Sequence, residues 1–463
     1  MNRIFLVIGF VVVCGLVSGQ DIPVGTWRQH VSFFDIRSIA LSSDKVYAAV
    51  DNGIMVVDLA DESISTITKL DGLSNINITQ IAFDPGRKQV LVTYADGDID
   101  IIKDNEIINF NTLKNATTIS GSKRINHIAI QGDLAYLSTD FGVVVFDLLQ
   151  LTIKETWRDL GAGGIKLKIN QSTFYNDSIF LATERGVLAG RLTDNLLDFN
   201  NWQRFETGAF NSAVQTIATF SGKVYTAINN SGIYKYDNSA WQLQSYLQAM
   251  QYTALTAGQT LLVAAQGSLF RVTAADVVTA VTSPVIFNAN LAVEDAAGKL
   301  WIGDADNALI SDLSGPFSVY VPNSPTFSNG FRLQYVEEAN IMYAVSGGFN
   351  NSLVPLGKTE AVNFFSGDGW HAQPDILDHD ITAVQVNQGT LYVASAGYGL
   401  QVIRGSEKTL YDETNSFLQN VASGRNVRLT DIAYSPACLW VANAGSTLPL
   451  QLLKSDNTWE TFS

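Results

Sequence analysis

The chain reads as an all-β protein built of tandem β-propellers. Three observations lead there: a unit of short alternating strands that recurs ten times, a period near forty residues, and a tryptophan that marks a fourth strand. The unit is clearest over residues 36–58, IRSIALSSDKVYAAVDNGIMVVD. An apolar strand opener, a polar turn, a Val-Tyr-x-Ala strand, a turn with Gly and a strand ending near an Asp make two successive hairpins. Counting Ile36 as the first, starts fall at Ile78, Ile125, Ile169, Val214, Tyr252, Leu291, Phe331, Ile381 and Leu429, 38 to 50 residues apart. Ankyrin and TPR arrays have similar periods, but they need 3.6-residue periodicity, and these units alternate at period two. One blade cannot cover both of its own faces, so neighbouring blades bury each other and the closed ring removes the remaining edges.

The fourth, outer strand is read from a turn of Asp, Asn or Gly followed by Trp. Asp237 precedes Trp241, Asp368 and Gly369 precede Trp370, Asp456 and Asn457 precede Trp459, and Asn200 and Asn201 precede Trp202. Each indole is expected to pack between blades with its N–H toward solvent or a carbonyl, a structural role. Pro23-Val24-Gly25-Thr26-Trp27-Arg28 looks like such an outer strand with nothing in front of it. It is expected to latch a blade formed by later strands.

Ten repeats exceed the roughly 4 to 8 blades of one ring. Seven fall in residues 20–325, a first ring either contiguous or interrupted by the second, and three in residues 326–463, an incomplete second propeller. Pro316, Pro322 and Pro325 suit a boundary between them.

Residues 1–19 have the form of a secretory signal peptide: Arg3, an apolar run from Ile4 to Val17, then Ser18 and Gly19. The run is shorter than the roughly 20 residues of a spanning helix, and no later stretch is apolar enough, so no transmembrane segment is expected in the mature chain. Cys14 follows Val13, not the small residue of a lipoprotein site. Without residues 1–19 the bases fall from 29 to 28 against 44 acids, a charge of −16, and Cys438 is the one remaining cysteine. Stability must then come from packing, without an internal disulfide. Hydrophobic content of 46% and charged content of 16% describe a folded chain, and the distributed acidity argues against a nucleic-acid partner.

Chemistry-bearing residues are sparse. His371 and His379, with Asp375, Asp378 and Asp380 nearby, form the one local cluster of metal-ligand types. Their spacing matches no established site, and they read as polar residues of an inter-blade connection. Asp96, Asp98 and Asp100, like Asp304 and Asp306, alternate without the convergent loop calcium needs, and read as solvated edge carboxylates. Gly161-Ala162-Gly163-Gly164 precedes a strand, so it offers phosphate no helix terminus. No catalytic motif is found. The sequons at Asn77 and Asn115, and Asp177-Ser178-Ile179 as an O-glycosylation motif, are of the kind chance supplies. No catalytic, cofactor or metal residues are therefore assigned, and the expectation is a binding protein, not an enzyme.

Residues 25–58 and 67–102 together resemble the N-terminal propeller region of PorZ, a component of the bacterial type IX secretion system. The likeness runs to about Trp202. Lys69-Leu70-Asp71-Gly72-Leu73-Ser74 and Tyr94-Ala95-Asp96-Gly97-Asp98-Ile99-Asp100 have that family's form. The same Asp-Gly-Leu-Ser turn and Lys299-Leu300-Trp301-Ile302-Gly303 are similar to propellers in periplasmic sensors of hybrid two-component systems. The PorZ resemblance implies a non-enzymatic, exported protein with two seven-bladed propellers and a C-terminal sorting β-sandwich, the last of which these residues do not include. It further implies a place in the periplasm or on the outer surface, with a sortase-like protease and an outer-membrane shuttle protein as partners, and anionic lipopolysaccharide handed to the sortase. Contact with an anionic glycan is expected at a local basic spot, Lys166 and Lys168 or Arg425 and Arg428. The alternatives are the ligand-sensing propeller of a hybrid regulator and a polysaccharide-active enzyme. Export predicts a mature protein beginning at Gln20, and intact-mass measurement of the secreted chain checks it; an uncleaved or lipidated mass overturns it.

Overall fold

The computed structural model describes residues 27–104, 106–237, 240–359, 362–367, 369–374, 376, 379–421, 426–436 and 438–462. The signal segment and most of the proposed latch strand lie outside them. Among the described residues are 40 strands, one four-residue helix at Thr112–Asn115 and four short 3-10 turns. No helix among them is long and apolar enough to cross a membrane.

The strands form ten four-stranded antiparallel groups in chain order, at 38–67, 78–110, 125–158, 169–205, 216–243, 252–281, 289–320, 332–372, 381–411 and 427–462. The ninth and tenth are joined by a short bridge, Ala396 to Arg428 and Gly397 to Val427. Period-two alternation fills both faces of the second strands in the first seven sheets. In the strand Gln89–Tyr94, Val90, Val92 and Tyr94 pack on the first sheet while Leu91 packs on the third.

The same two-sided packing repeats around a circle. Separate apolar clusters fill each interface from the first sheet to the seventh. A further cluster puts Trp301, Leu309 and Tyr320 of the seventh sheet against Ile39, Val46 and Met55 of the first, so the seven sheets close on themselves. Polar contacts lock this seam. Glu62 accepts hydrogen bonds from the Tyr320 hydroxyl at 2.6 Å and from Ser314, and the Ala308 amide donates to the Phe34 carbonyl at 3.0 Å. Two more clusters join the eighth sheet to the ninth and the ninth to the tenth.

The described end of the expected latch, Trp27 and Arg28, forms no strand. Trp27 is 84% exposed, residues 27–34 form no strand, and the first and seventh sheets each carry four strands of their own. The segment instead runs as a strap. Phe33 and Ile36 pack into the seam, while Arg28 lies over Phe365 and His30 packs edge-on against Phe365 and Trp370. The Trp370 indole N–H donates to His30 Nδ1 at 2.8 Å across 340 residues of sequence. An irregular strap suits this task because its side chains can turn toward both bodies, where a strand would commit alternate residues to fixed faces.

The acidic residues also depart from expectation. Asp98, Asp100 and Asp304 are buried; only Asp306 stands exposed and Asp96 half-buried. Asp304 accepts four main-chain N–H groups, from Phe287, Asn288, Asp306 and Asn307, at 2.8 to 3.0 Å. Asp100 accepts the Ser74 amide and the Tyr94 hydroxyl, while Lys114 pairs with both Asp96 and Asp98. Asp304 and Asp100 thus satisfy loop amides, and Asp98 is held by the Asn109 side chain and Lys114, which makes burial of these charges tolerable. Some turns require glycine outright: at Gly142, φ is 139° and a Cβ would lie 1.9 Å from the Trp157 carbonyl oxygen.

Replacing Asp304 by Ala leaves four amides without their acceptor. The loss expected is about 3 kcal/mol or more of stability, read as a lower urea midpoint at unchanged slope; a change within about 0.5 kcal/mol contradicts the role.

Candidate functional site

Seven strand edges converge on the axis of the ring. The first strand of each sheet, beginning with Ser38–Leu41 and ending with Ala289–Glu294, lines a central channel of about 710 Å³. Its wall is mostly backbone, amide, hydroxyl and small apolar groups, among them Ala40, Ala82, Ala218, Thr173 and Thr256.

These innermost strands have a partner on one side only, so alternate N–H and C=O groups face the channel or the next blade. Polar side chains from the preceding sheet meet them. Ser38 Oγ accepts from the Ile81 amide at 3.0 Å, Gln171 Oε1 from Ile217 at 3.1 Å and Thr216 Oγ1 from Leu255 at 2.8 Å. His127 Nδ1 takes the same part for Ser172 at 3.4 Å. One residue earlier, Asn126 and Asn170 donate to the carbonyls of Ile169 and Val214. Side chains thus stitch together strands whose backbones do not pair.

His127 shows the cost of this arrangement. Burial pulls its imidazole down to about 4 from 6.5, so in the folded chain it stays neutral and Nδ1 remains an acceptor. Below pH 6.5 the unfolded chain takes up a proton that the folded chain refuses until about pH 4, so stability falls as pH falls through that window. The effect is on the order of 2 kcal/mol, since part of the ring borders the channel. His127→Gln keeps an acceptor and is expected to flatten the loss of stability between pH 7 and pH 4.5, followed by urea denaturation; an unchanged pH slope excludes His127 as its source.

The sequence-marked residues are dispersed. His371 belongs to the outer strand Gly369–Ala372 of the eighth sheet, not to a connection, and stacks on Phe364. His379 lies against Tyr398; Asp375 and Asp378 are outside the described residues. No group of three or more metal-binding side chains occurs among those described. Trp241, Trp370 and Trp459 stand on outer strands, whereas Trp202 caps the short turn before one. The Trp202 indole donates to the Leu196 carbonyl, while the buried N–H groups of Trp241 and Trp459 have no partner among the described residues. Lys166 is exposed, and Lys168 lies 3.6 Å from Asp140. Arg428 bonds to Asn426, and Arg425 is outside the described residues.

Comparison with known proteins bears on the same region. Residues 36–203 match the model of the type IX secretion PorZ N-terminal β-propeller domain. No curated protein matches the chain in sequence. Among solved structures, the chain is similar to PorZ of Porphyromonas gingivalis, described as an essential bacterial surface component of the type-IX secretion system. The TM-score is 0.76 at 18% identity, covering 95% of this chain and 60% of that one. It is also similar to the extracellular domain assigned to a hybrid two component system of B. thetaiotaomicron, at a TM-score of 0.50 and 12% identity, covering 93% of this chain and 65% of that one. At such identities the likeness concerns the fold, and the chain spans less than two thirds of each of these proteins. Residues 36–203 are thus PorZ-like in sequence, and nearly the whole chain is similar to PorZ in its β-propeller fold.

Proposed function

We propose that this chain is a non-enzymatic component of a type IX secretion system, exported through the inner membrane and acting in the periplasm or on the outer cell surface. In this reading it docks a sortase-like protease and an outer-membrane shuttle protein, and presents anionic lipopolysaccharide for the anchoring of cargo. The match of residues 36–203 to the PorZ propeller model carries the proposal. The ring supports it physically: a rigid circle of blades leaves the loops at its mouth free to vary, as a docking platform requires. The channel histidine is held neutral and engaged in stitching, which suits a scaffold better than an acid–base catalyst. A local basic spot at Lys166 and Lys168 offers an anionic sugar its contact on an otherwise acidic chain.

We also consider residues 20–325 as one unit and 326–463 as the opening part of a second propeller. The sensor reading draws support from the likeness to the hybrid-system extracellular domain, which is weaker in TM-score and rests on no family match.

Deleting the gene distinguishes the two. A secretion component predicts cargo trapped unmodified in the periplasm or shed without its glycolipid, seen by immunoblotting of cell fractions. A deletion strain that displays fully anchored cargo, and instead loses a transcriptional response, overturns the proposal.

A further inference from the structure

Alongside the strap, between the closed ring and the eighth sheet, lies a crevice of about 210 Å³. Four elements wall it: the strap with Arg28, Gln29 and His30, the outer strand of the first sheet with Thr66, the connection after the seventh sheet with Asn323, and the outer strand of the eighth sheet with Trp370. Arg28 and His30 are exposed, so the crevice is open to solutes.

Its side-chain acceptors are largely occupied. Asn323 Oδ1 accepts the Trp370 amide at 2.7 Å, while Nδ2 returns one hydrogen bond to the Trp370 carbonyl at 2.9 Å. Gly369 permits this clasp, since a Cβ there would lie 2.5 Å from Asn323 Oδ1. Thr68 Oγ1 gives its proton to Asp71 and accepts the Leu70 amide. His30 Nδ1 takes the Trp370 indole N–H, which fixes the neutral ring with its own proton on Nε2.

What stays open is mainly donors. His30 Nε2–H, the second Nδ2 proton of Asn323 and the Arg28 guanidinium have no hydrogen-bond acceptor among the described residues. Arg28 sits over the Phe365 ring at 4.9 Å, a contact that holds the cation without neutralising it. No carboxylate lines the crevice among the described residues, although the chain carries a formal charge of −15. His30 registers the imbalance: burial first, then the Arg28 charge, hold its imidazole below the ordinary value, and no acid acts against them.

We propose that this crevice binds one tetrahedral oxyanion, a phosphate group, between the strap and the two bodies it joins. Arg28 supplies the charge and a planar fork of N–H groups, and His30 and Asn323 add neutral donors from other walls. An oxyanion brings acceptors, which is what a set of open donors requires. A neutral sugar brings donors as well, and a metal cation meets repulsion from Arg28. The site is independent of the secretion reading, whose anionic contact falls at Lys166 and Lys168.

Inorganic phosphate titrated into the full chain by isothermal calorimetry at neutral pH tests the site, with chloride at matched ionic strength as the control. Saturable binding is expected, together with a shift of the Trp370 indole resonance in the NMR spectrum. Arg28→Met, which keeps a stem over Phe365, should bind about tenfold more weakly at unchanged circular dichroism, while Lys166→Met binds as the unmodified chain does. Phosphoethanolamine separates the sources within the same site: affinity equal to that of phosphate assigns a phosphate carried on a larger molecule, and binding of the free ion alone assigns inorganic phosphate. No saturable binding, equal affinity in Arg28→Met, equal heat from chloride, or a Trp370 resonance that does not move overturns the proposal.

Discussion

A four-stranded sheet whose second and third strands are apolar on both faces cannot exist in water alone, and the closed ring of the first seven sheets follows from that constraint. In the third strand Gly142–Asp147, Val143 and Val145 face one neighbour while Val144 and Phe146 face the other. Each such side chain contributes about 1.5 to 3 kcal/mol only when a second sheet covers it. A linear stack would leave its end sheets bare. The ring has no end sheets, because Trp301 and Tyr320 meet the face of the first sheet that nothing else covers.

Covering faces leaves edges, and the inner edges are handled by side chains instead of backbone. This permits the channel to stay open: strands joined by Ser, Thr, Gln, Asn and His need not approach as closely as paired strands. It also sets a chemical requirement on the loops above. The buried carboxylates of Asp100 and Asp304 collect amides from connections that have no sheet to join, so the loops are held from below while their tips stay free. A scaffold of this kind separates rigidity from recognition.

Much of this was legible in the sequence because the determining contacts are local. Hairpins such as Lys45–Val50 with Gly53–Asp58 pair residues only a few positions apart, and alternation reveals both strands. The buried acids were misread because their partners are not in the pattern: Asp304 looks like any turn residue until Phe287 and Asn288 fold over it. The strap was misread for a similar reason. Thr26-Trp27 resembles outer-strand openers elsewhere, and nothing near it announces a contact with Trp370.

The strap and the seam have a consequence for how the molecule is made. Glu62 and Tyr320 are separated by 258 residues, and His30 waits still longer for Trp370. During vectorial synthesis the amino-terminal sheet emerges first, yet one of its faces receives its cover last. Until then Ile39, Val46 and Met55 present an uncovered apolar surface, and contacts this distant in sequence form slowly. The first blade is thus the part of the ring most open to misassociation while the chain is incomplete. Its exposure ends not gradually but in one event, when the seventh blade swings in and the strap can be fastened.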